Sequence, residues 1–405
     1  MAASPHLQSR DQIGADTIRT QADSKNRSNA GGVSDPQGFR HWVRINDHNE
    51  ERTMSSERQP LVSVVTPMYN EAEHLAECIE SVLGQTYQNW EYVIVDNCST
   101  DGSAELARRY AARDHRIRVS HNTQFLKAVA SHNAALRQIS PASKYCKMVF
   151  ADDWIFPECL ERMVAVGEAH PSVGVLGAYG LEGPQVVWAG LPYPSTVVSG
   201  YDICRRLFLD GLYVFGTATS LLYRADLVRS RECFYNEGNI HADMETCIAL
   251  LKTCDFGFVH QVLTFTRVRT ESRISMSRNM NTLAASNLHH LTAYAREFLS
   301  QEEFDGCLKR SLAEYYGYLA AGLLRGRAKS FWEYHRSALR DAGIGFSRAR
   351  LGRAVLATLV NAGLHPRASI QRILRVTPDQ STAFQTKMKA SGSIAAPDKR
   401  AAQHQ

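Results

Sequence analysis

The feature that most constrains this chain is a regular alternation between residues 61 and 172. Short β-branched runs alternate with helical segments, and three of the runs end in polar loops. Leu61-Val62-Ser63-Val64-Val65-Thr66 is the first run, of the kind found in strands buried on both faces. Loop 67–71 follows, and Leu75, Cys78, Ile79, Val82 and Leu83 then recur at helical spacing. Glu91-Tyr92-Val93-Ile94-Val95 is the second run and ends in loop 96–102, rich in turn formers. A helix carrying Leu106, Ala107 and Tyr110, a strand over 117–120 and a helix over 129–136 come next. The run 145–150 leads into Ala151-Asp152-Asp153-Trp154, and Pro157 suits the first turn of a helix carrying Leu160, Met163 and Val164. Such alternation predicts a parallel sheet with helices on both faces. Ligands of such sheets bind at the carboxyl ends of the strands, where loops 67–71, 96–102 and 151–154 all fall.

Beyond residue 172 the pattern loosens. Residues 173–176, 186–188, 256–260 and 263–268 read as strands, and 201–209 and the segment opened by His241-Ala242-Asp243 read as helices. Residues 281–374 read as almost wholly helical. The expected organisation is a disordered segment over 1–59, with a short docking element over 39–43 left open. A catalytic domain over 60–275, a helical region over 276–375 and a flexible tail over 376–405 complete it. The chain has 405 residues, 46 Lys and Arg against 41 Asp and Glu, and a formal charge of +5. That small excess is spread along the whole length, so it does not argue for nucleic acid; it is compatible with an anionic substrate or a membrane surface. The nine cysteines include no Cys-x-x-Cys pair, so zinc spacing is absent. Free thiols, no signal pattern and no run near the ~18 apolar residues of a membrane span lead us to expect a cytoplasmic protein, peripheral contact with the cytosolic membrane face staying open.

The chemistry-bearing residues are carboxylates at strand ends. Asp152 and Asp153 repel one another unless solvated or bridged by a cation. Hard oxygen ligands suit Mg²⁺ or Mn²⁺, which take one or two carboxylates plus phosphate oxygens; acidic residues at a helix start are the bland alternative. Asp96 could accept hydrogen bonds from a nucleobase or ribose, or close a turn on its own backbone. Asp101 suits a helix N-cap. The small-residue stretch 216–220 fits a pocket wall or a tight turn into a strand. Lys127, His132 and Asn133 fit either a nucleotide contact or a polar helix face.

Together the three loops resemble family 2 glycosyltransferases, the inverting group with the GT-A-like fold. The matching stretches run over 62–71, 93–103 and 151–157, in the family's order and spacing, and the resemblance covers roughly residues 61–270. It implies an α/β, mostly parallel nucleotide-diphospho-sugar transferase sheet flanked by helices, with the helical region following it. Thr66, Pro67, Tyr69 and Glu71 are similar to the family's nucleoside loop, and Asp96 to the carboxylate that reads the uracil edge. Asp153 resembles the metal ligand, with Asp152 beside it near the ribose or sugar, which implies Mg²⁺ or Mn²⁺. Asp243 resembles the catalytic base. Phe150, Asn97 and Ala242 stand where many members carry acids. Arg269 stands where a His is common, in a stretch 265–275 that in the family closes over the diphosphate.

The implied reaction is transfer of a sugar from a nucleotide-diphosphate sugar, UDP by default, to an acceptor hydroxyl with inversion. A saccharide or lipid-linked acceptor in cell-surface polysaccharide or glycoconjugate assembly is the expected partner. The missing acids keep a non-catalytic nucleotide-sugar-binding or scaffold relative as the alternative. A nucleotidyltransferase is disfavoured because no basic glycine-rich loop follows the first strand. Arg325, Arg327, Lys329, Arg336, Arg340, Arg348, Arg350 and Arg353 make the helical region basic, which suits a solvated surface or contact with anionic lipid.

Overall fold

The computed structural model describes residues 59–268 and 280–364. The terminal segments 1–58 and 365–405, and so the expected docking element and tail, lie outside the described residues. So does 269–279 with Arg269.

Strands β1 (Val62–Met68), β2 (Trp90–Asp96), β3 (Ile117–His121) and β4 (Tyr145–Met148) pair in parallel in the order β3-β2-β1-β4. Helices α1 (Leu75–Leu83), α2 (Ser103–Ala111) and α3 (Ala128–Leu136) connect them, as their periodicity predicts. The period-2 alternation of strand side chains divides the core. Val64, Tyr92 and Ile94 pack to one face with α1 and with α4 (Cys159–Ala169), and Val65, Val93 and Val95 to the other. Two-sided burial is why these strands read as unbroken apolar runs.

The second half of the sheet holds strands β5 (Trp154–Ile155), β6 (Val173–Glu182), β7 (Gln185–Val187), β8 (Val197–Val198), β9 (Leu222–Arg224) and β10 (Asp255–Thr266). Here the sheet is mixed. The three-residue β9 lies antiparallel between β4 and β6, while β6 and β10 run parallel to one another. The expected separate strands over 256–260 and 263–268 are one strand, β10, which keeps its pairing with β6 across register shifts around Val259 and Val262. Apolar periodicity breaks at such irregularities while the ladder continues.

Helices α5 (Gly200–Asp210), α6 (Ala225–Arg229) and α7 (Ala242–Leu250) complete this part. The helical region comprises α8 (Thr282–Tyr294), α9 (Gln301–Leu324), α10 (Lys329–Asp341) and α11 (Arg348–Leu364). A capping box starts α9: Ser300 Oγ accepts from Glu303 N at 3.3 Å, and Glu303 Oε2 accepts from Ser300 N at 2.9 Å. Glu303 also pairs with Arg205 of α5, and Phe304 and Cys307 pack near Phe208, so the region is docked on the sheet domain. Among the described residues no helix is long and apolar enough to cross a membrane. All nine cysteines are free.

Candidate functional site

The loops after β1 and β2 are laced together at the carboxyl edge of the sheet. Asn70 N donates to Ser99 Oγ at 3.0 Å, and Thr100 N returns a bond to Asn70 Oδ1 at 2.8 Å. Glu71 N donates to Ser103 Oγ at 2.8 Å and Ala72 N to Asp101 Oδ2 at 2.9 Å. Asn70 (φ 52°) and Cys98 (φ 65°) turn through the left-handed region, which Asn tolerates better than most residues. Asp101 falls one residue before the helix cap, which is Gly102; its Oδ1 accepts from Ser103 N at 3.0 Å.

The residues singled out in these loops divide by where their side chains go. Thr66 is buried, and its hydroxyl donates to Val149 O at 2.7 Å beside Tyr92. Its hydroxyl therefore ties β1 to the loop after β4. Pro67 is buried beside it. Tyr69 is half-buried, edge-on to the exposed Phe125 at 4.8 Å, so an aromatic pair stands at the rim. Glu71 is half-buried on the same loop. Asp96 is buried: Oδ1 closes a turn on Ser99 N at 3.1 Å, and Oδ2 lies 3.0 Å from His121 Nδ1. Asn97 holds Leu126 by both its amide atoms, each bond 2.9 Å long.

The loop after β4 brings Asp152 and Asp153 to the same edge. Asp153 is only 2% exposed, its Oδ2 accepts from Thr219 Oγ1 at 2.6 Å, and its Oδ1 accepts from Arg267 N at 3.0 Å. Burial and the Asp152 charge raise its pKa; Thr219 and Arg267 pull it back. Asp152 is half-buried and its carbonyl accepts from Arg267 Nε at 3.0 Å. The Arg267 guanidinium continues to Glu77 on α1. Both clamps follow from topology. Antiparallel β9 begins at the carboxyl edge, so Thr219, just before it, lands beside Phe150, whose N donates to Thr219 Oγ1 at 3.1 Å. Parallel β10 ends at that edge, so Arg267, just after it, reaches the pair. Among the described residues no three His, Cys, Asp or Glu side chains converge as a ready-made metal cage.

Asp243 lies in the first turn of α7, half-buried, with Oδ1 accepting from Met244 N at 2.8 Å. Burial pushes its pKa up to about 6, against the pull of the backbone N–H groups. Its charge in turn helps burial to raise the hydroxyl of Tyr213, which donates to Gly216 O at 2.6 Å. The stretch 213–220 thus touches both acidic centres, Thr219 holding Asp153 and Tyr213 lying in the field of Asp243.

Two latches fix the segment before α7. Asn133 of α3 pairs with both backbone groups of Tyr235, at 2.8 and 2.9 Å, so it neither lines a nucleotide nor decorates a solvent face. Glu245, 5% exposed, accepts from Asn236 Nδ2 at 3.1 Å, from Asn239 Nδ2 at 2.7 Å and from Tyr294 OH at 2.8 Å. Asn239 also meets His290 and Ser286 of α8. Against burial, His289 of α8 and these hydrogen bonds hold the Glu245 carboxyl down at about 2. Thr219, Tyr213, Glu245 and Asn239 escape sequence reading; the small-residue run 216–220 is the one signal that points to any of them.

Comparison with known proteins agrees with this geometry. Residues 63–230 match the family model "Glycosyl transferase family 2". EpsE of Bacillus subtilis (strain 168), which is named among the glycosyltransferases, is 35% identical over 154 residues, 36% of this chain and 54% of that protein. TuaG of the same organism, whose name places it in teichuronic acid biosynthesis, is 35% identical over 106 residues, 26% of this chain and 41% of that protein. The chain thus spans about half or less of the length of these relatives. In fold it is similar to S. aureus TarS 1–349, described in complex with UDP-GlcNAc, with a TM-score of 0.52 at 17% identity over 82% of this chain and 91% of that one. Residues 63–230, which carry the three strand-end loops, are thus similar to glycosyl transferase family 2.

Proposed function

We propose that this chain transfers a sugar from a nucleotide-diphosphate sugar to an acceptor hydroxyl with inversion, in the assembly of a cell-surface polysaccharide or glycoconjugate. The observation that carries the reading is a division of labour between two acids, one buried and one half-buried. Asp153 is anchored at the carboxyl edge among the laced loops, whereas Asp243 has no side-chain partner among the described residues and titrates at about 6. In this reading Tyr69, Glu71 and Asp96 hold the nucleoside, and Thr66 and Pro67 shape the loop that carries them. Asp152 lies toward the ribose or sugar. Asp243 accepts the proton of the acceptor hydroxyl as its oxygen attacks the anomeric carbon from the face opposite the nucleotide; a base with a pKa near the working pH suits this role.

The two adjacent carboxylates fit a divalent ion. Each Asp153 oxygen takes one protein hydrogen bond and keeps lone-pair capacity, and Asp152 reaches the solvent side. Asp153, with Asp152 beside it, would hold Mg²⁺ or Mn²⁺, which when bound neutralises charge on the leaving diphosphate. Titration of UDP, dTDP and GDP in the presence of Mn²⁺ tests the site. Metal-dependent binding of one diphosphate, weakened at least about tenfold in Asp153→Asn, is the expected result. No binding of any nucleotide to the folded protein would sink the donor-site reading.

The helical region supports an acceptor carried on a lipid. On α11, Leu356 (63% exposed), Leu359, Val360 and Leu364 form an outward apolar stripe that follows the exposed Arg348, Arg350 and Arg353. A basic start with an apolar stripe is the pattern of a helix that lies in an anionic membrane surface. The protein is expected to sediment with vesicles containing anionic lipid, and Leu356→Asp/Leu359→Asp to remain in the supernatant. Equal sedimentation of both proteins would remove the stripe from the proposal.

A further inference from the structure

Lys147 is the one lysine that the sheet buries completely among the described residues. It sits in the middle of β4, opposite Val64 of β1 and Leu222 of β9. Lysine is almost never fully buried unless it is paired with an acid. None of the ion pairs among the described residues involves Lys147. Its ammonium nitrogen donates to Thr219 O at 2.6 Å and otherwise faces the Met163 sulfur at 3.8 Å. Burial pulls its pKa down, with the Cys159 thiol acting weakly in the opposite direction. A sheet position walled by Met163, Cys159 and neighbouring strands would be better filled, for stability alone, by an apolar side chain of the same length.

What that nitrogen holds is the residue that holds Asp153. Thr219 receives Lys147 on its carbonyl, while its hydroxyl donates to Asp153 Oδ2 at 2.6 Å and accepts from Phe150 N at 3.1 Å. The short turn Ala218–Ser220 is thereby fixed from below by the lysine and presents its hydroxyl above, to the acid. Residues 211–217, before the turn, form neither strand nor helix, so no regular ladder holds it from that side.

We propose that Lys147 is a positioning residue for the Asp152–Asp153 site, acting through Thr219: it gives up strand stability to fix the orientation of Asp153. The proposal rests on the reading of that pair as the metal and diphosphate end of the donor site. It predicts opposite signs for stability and binding, which a merely structural residue would not give.

Lys147→Met, similar in length and apolar, is expected to melt at or above the wild-type temperature. Its affinity for Mn²⁺ together with UDP, read by calorimetry, is expected to fall by about 10–100-fold, the usual loss when a partner of a ligand is removed. Lys147→Gln keeps a donor toward the Thr219 carbonyl and is expected to regain most of that affinity. Thr219→Val should weaken binding similarly, and the double variant should be little worse than either single one, since both act on one chain of contacts. A folded Lys147→Met protein that binds as tightly as wild type would overturn the proposal and leave the site reading standing. A Met variant that loses melting temperature, or a Gln variant as weak as the Met variant, would also overturn it. Absence of metal-dependent binding in the wild type would sink the site reading, and this proposal with it.

Discussion

Asp243→Asn is expected to slow sugar transfer by about 10²–10⁴-fold, the usual contribution of a positioned base, while nucleotide binding with Mn²⁺ stays close to wild type. The carboxylate has no role in holding the donor loops; its Oδ1 accepts only from Met244 N at the helix start. Asn keeps that acceptor and the side-chain shape, so the fold should survive the change. The pH dependence carries a second signature. A base whose pKa is raised to about 6 by burial is unprotonated above that value. The rate should therefore be level in the neutral range and fall about tenfold per pH unit below 6. Single-turnover transfer measured across pH 4.5–8 on the two proteins checks both. Near-full activity in Asp243→Asn, or an acid limb that persists unchanged in it, would remove Asp243 from the mechanism.

Glu245→Ala is expected to cause the largest loss of stability of any single change at the site. Glu245 is nearly buried and takes hydrogen bonds from Asn236, Asn239 and Tyr294, with His289 at 3.6 Å. Truncation leaves the buried Asn239 without this acceptor and removes the anchor of the partly exposed Tyr294 and the exposed Asn236; removing one partner of a charged network costs about 3–5 kcal/mol. For a domain of this size that corresponds to roughly 5–15 °C in melting temperature. The sign with pH is fixed by the direction of the shift. The Glu245 pKa is depressed from 4.5 to about 2, so its stabilisation is fully present above about 4.5 and is lost as pH falls toward 2. His289 is shifted upward by the same contact, and its smaller share is present at low pH and lost as pH rises through its folded pKa. The stability gap between wild type and Glu245→Ala should accordingly be wide at pH 6 and narrow at pH 3, by calorimetry or denaturant titration. A gap that is small or independent of pH would show that the network is not what holds α7 against α8.

The reach of the sequence can be followed residue by residue. Val62 to Met68 and Trp90 to Asp96 were legible because two-sided burial leaves an unbroken apolar run that ends abruptly in polar residues. The helices over 75–83 and 103–111 were legible from their amphipathic spacing. The three-residue β9 carries too few residues for any period to register, and β10 hides its continuity behind register shifts. Thr66 shows the limit at the site: its place in the loop motif was visible, but not that its hydroxyl points into the core toward Val149. Lys147 gave no signal, because a single lysine in an apolar run is ambiguous between an edge position and a buried one.

By itself, then, the sequence determined the parallel core, the loops that end its strands and the acids placed in those loops, because local periodicity and turn chemistry act over only a few residues. The tertiary structure alone decided which distant groups meet those acids. Thr219 comes 66 residues after Asp153, and Arg267 114 residues after it. They arrive because β9 begins, and β10 ends, at the edge where the acids lie, and strand direction in a sheet is set by pairing across the whole domain rather than by any stretch of chain.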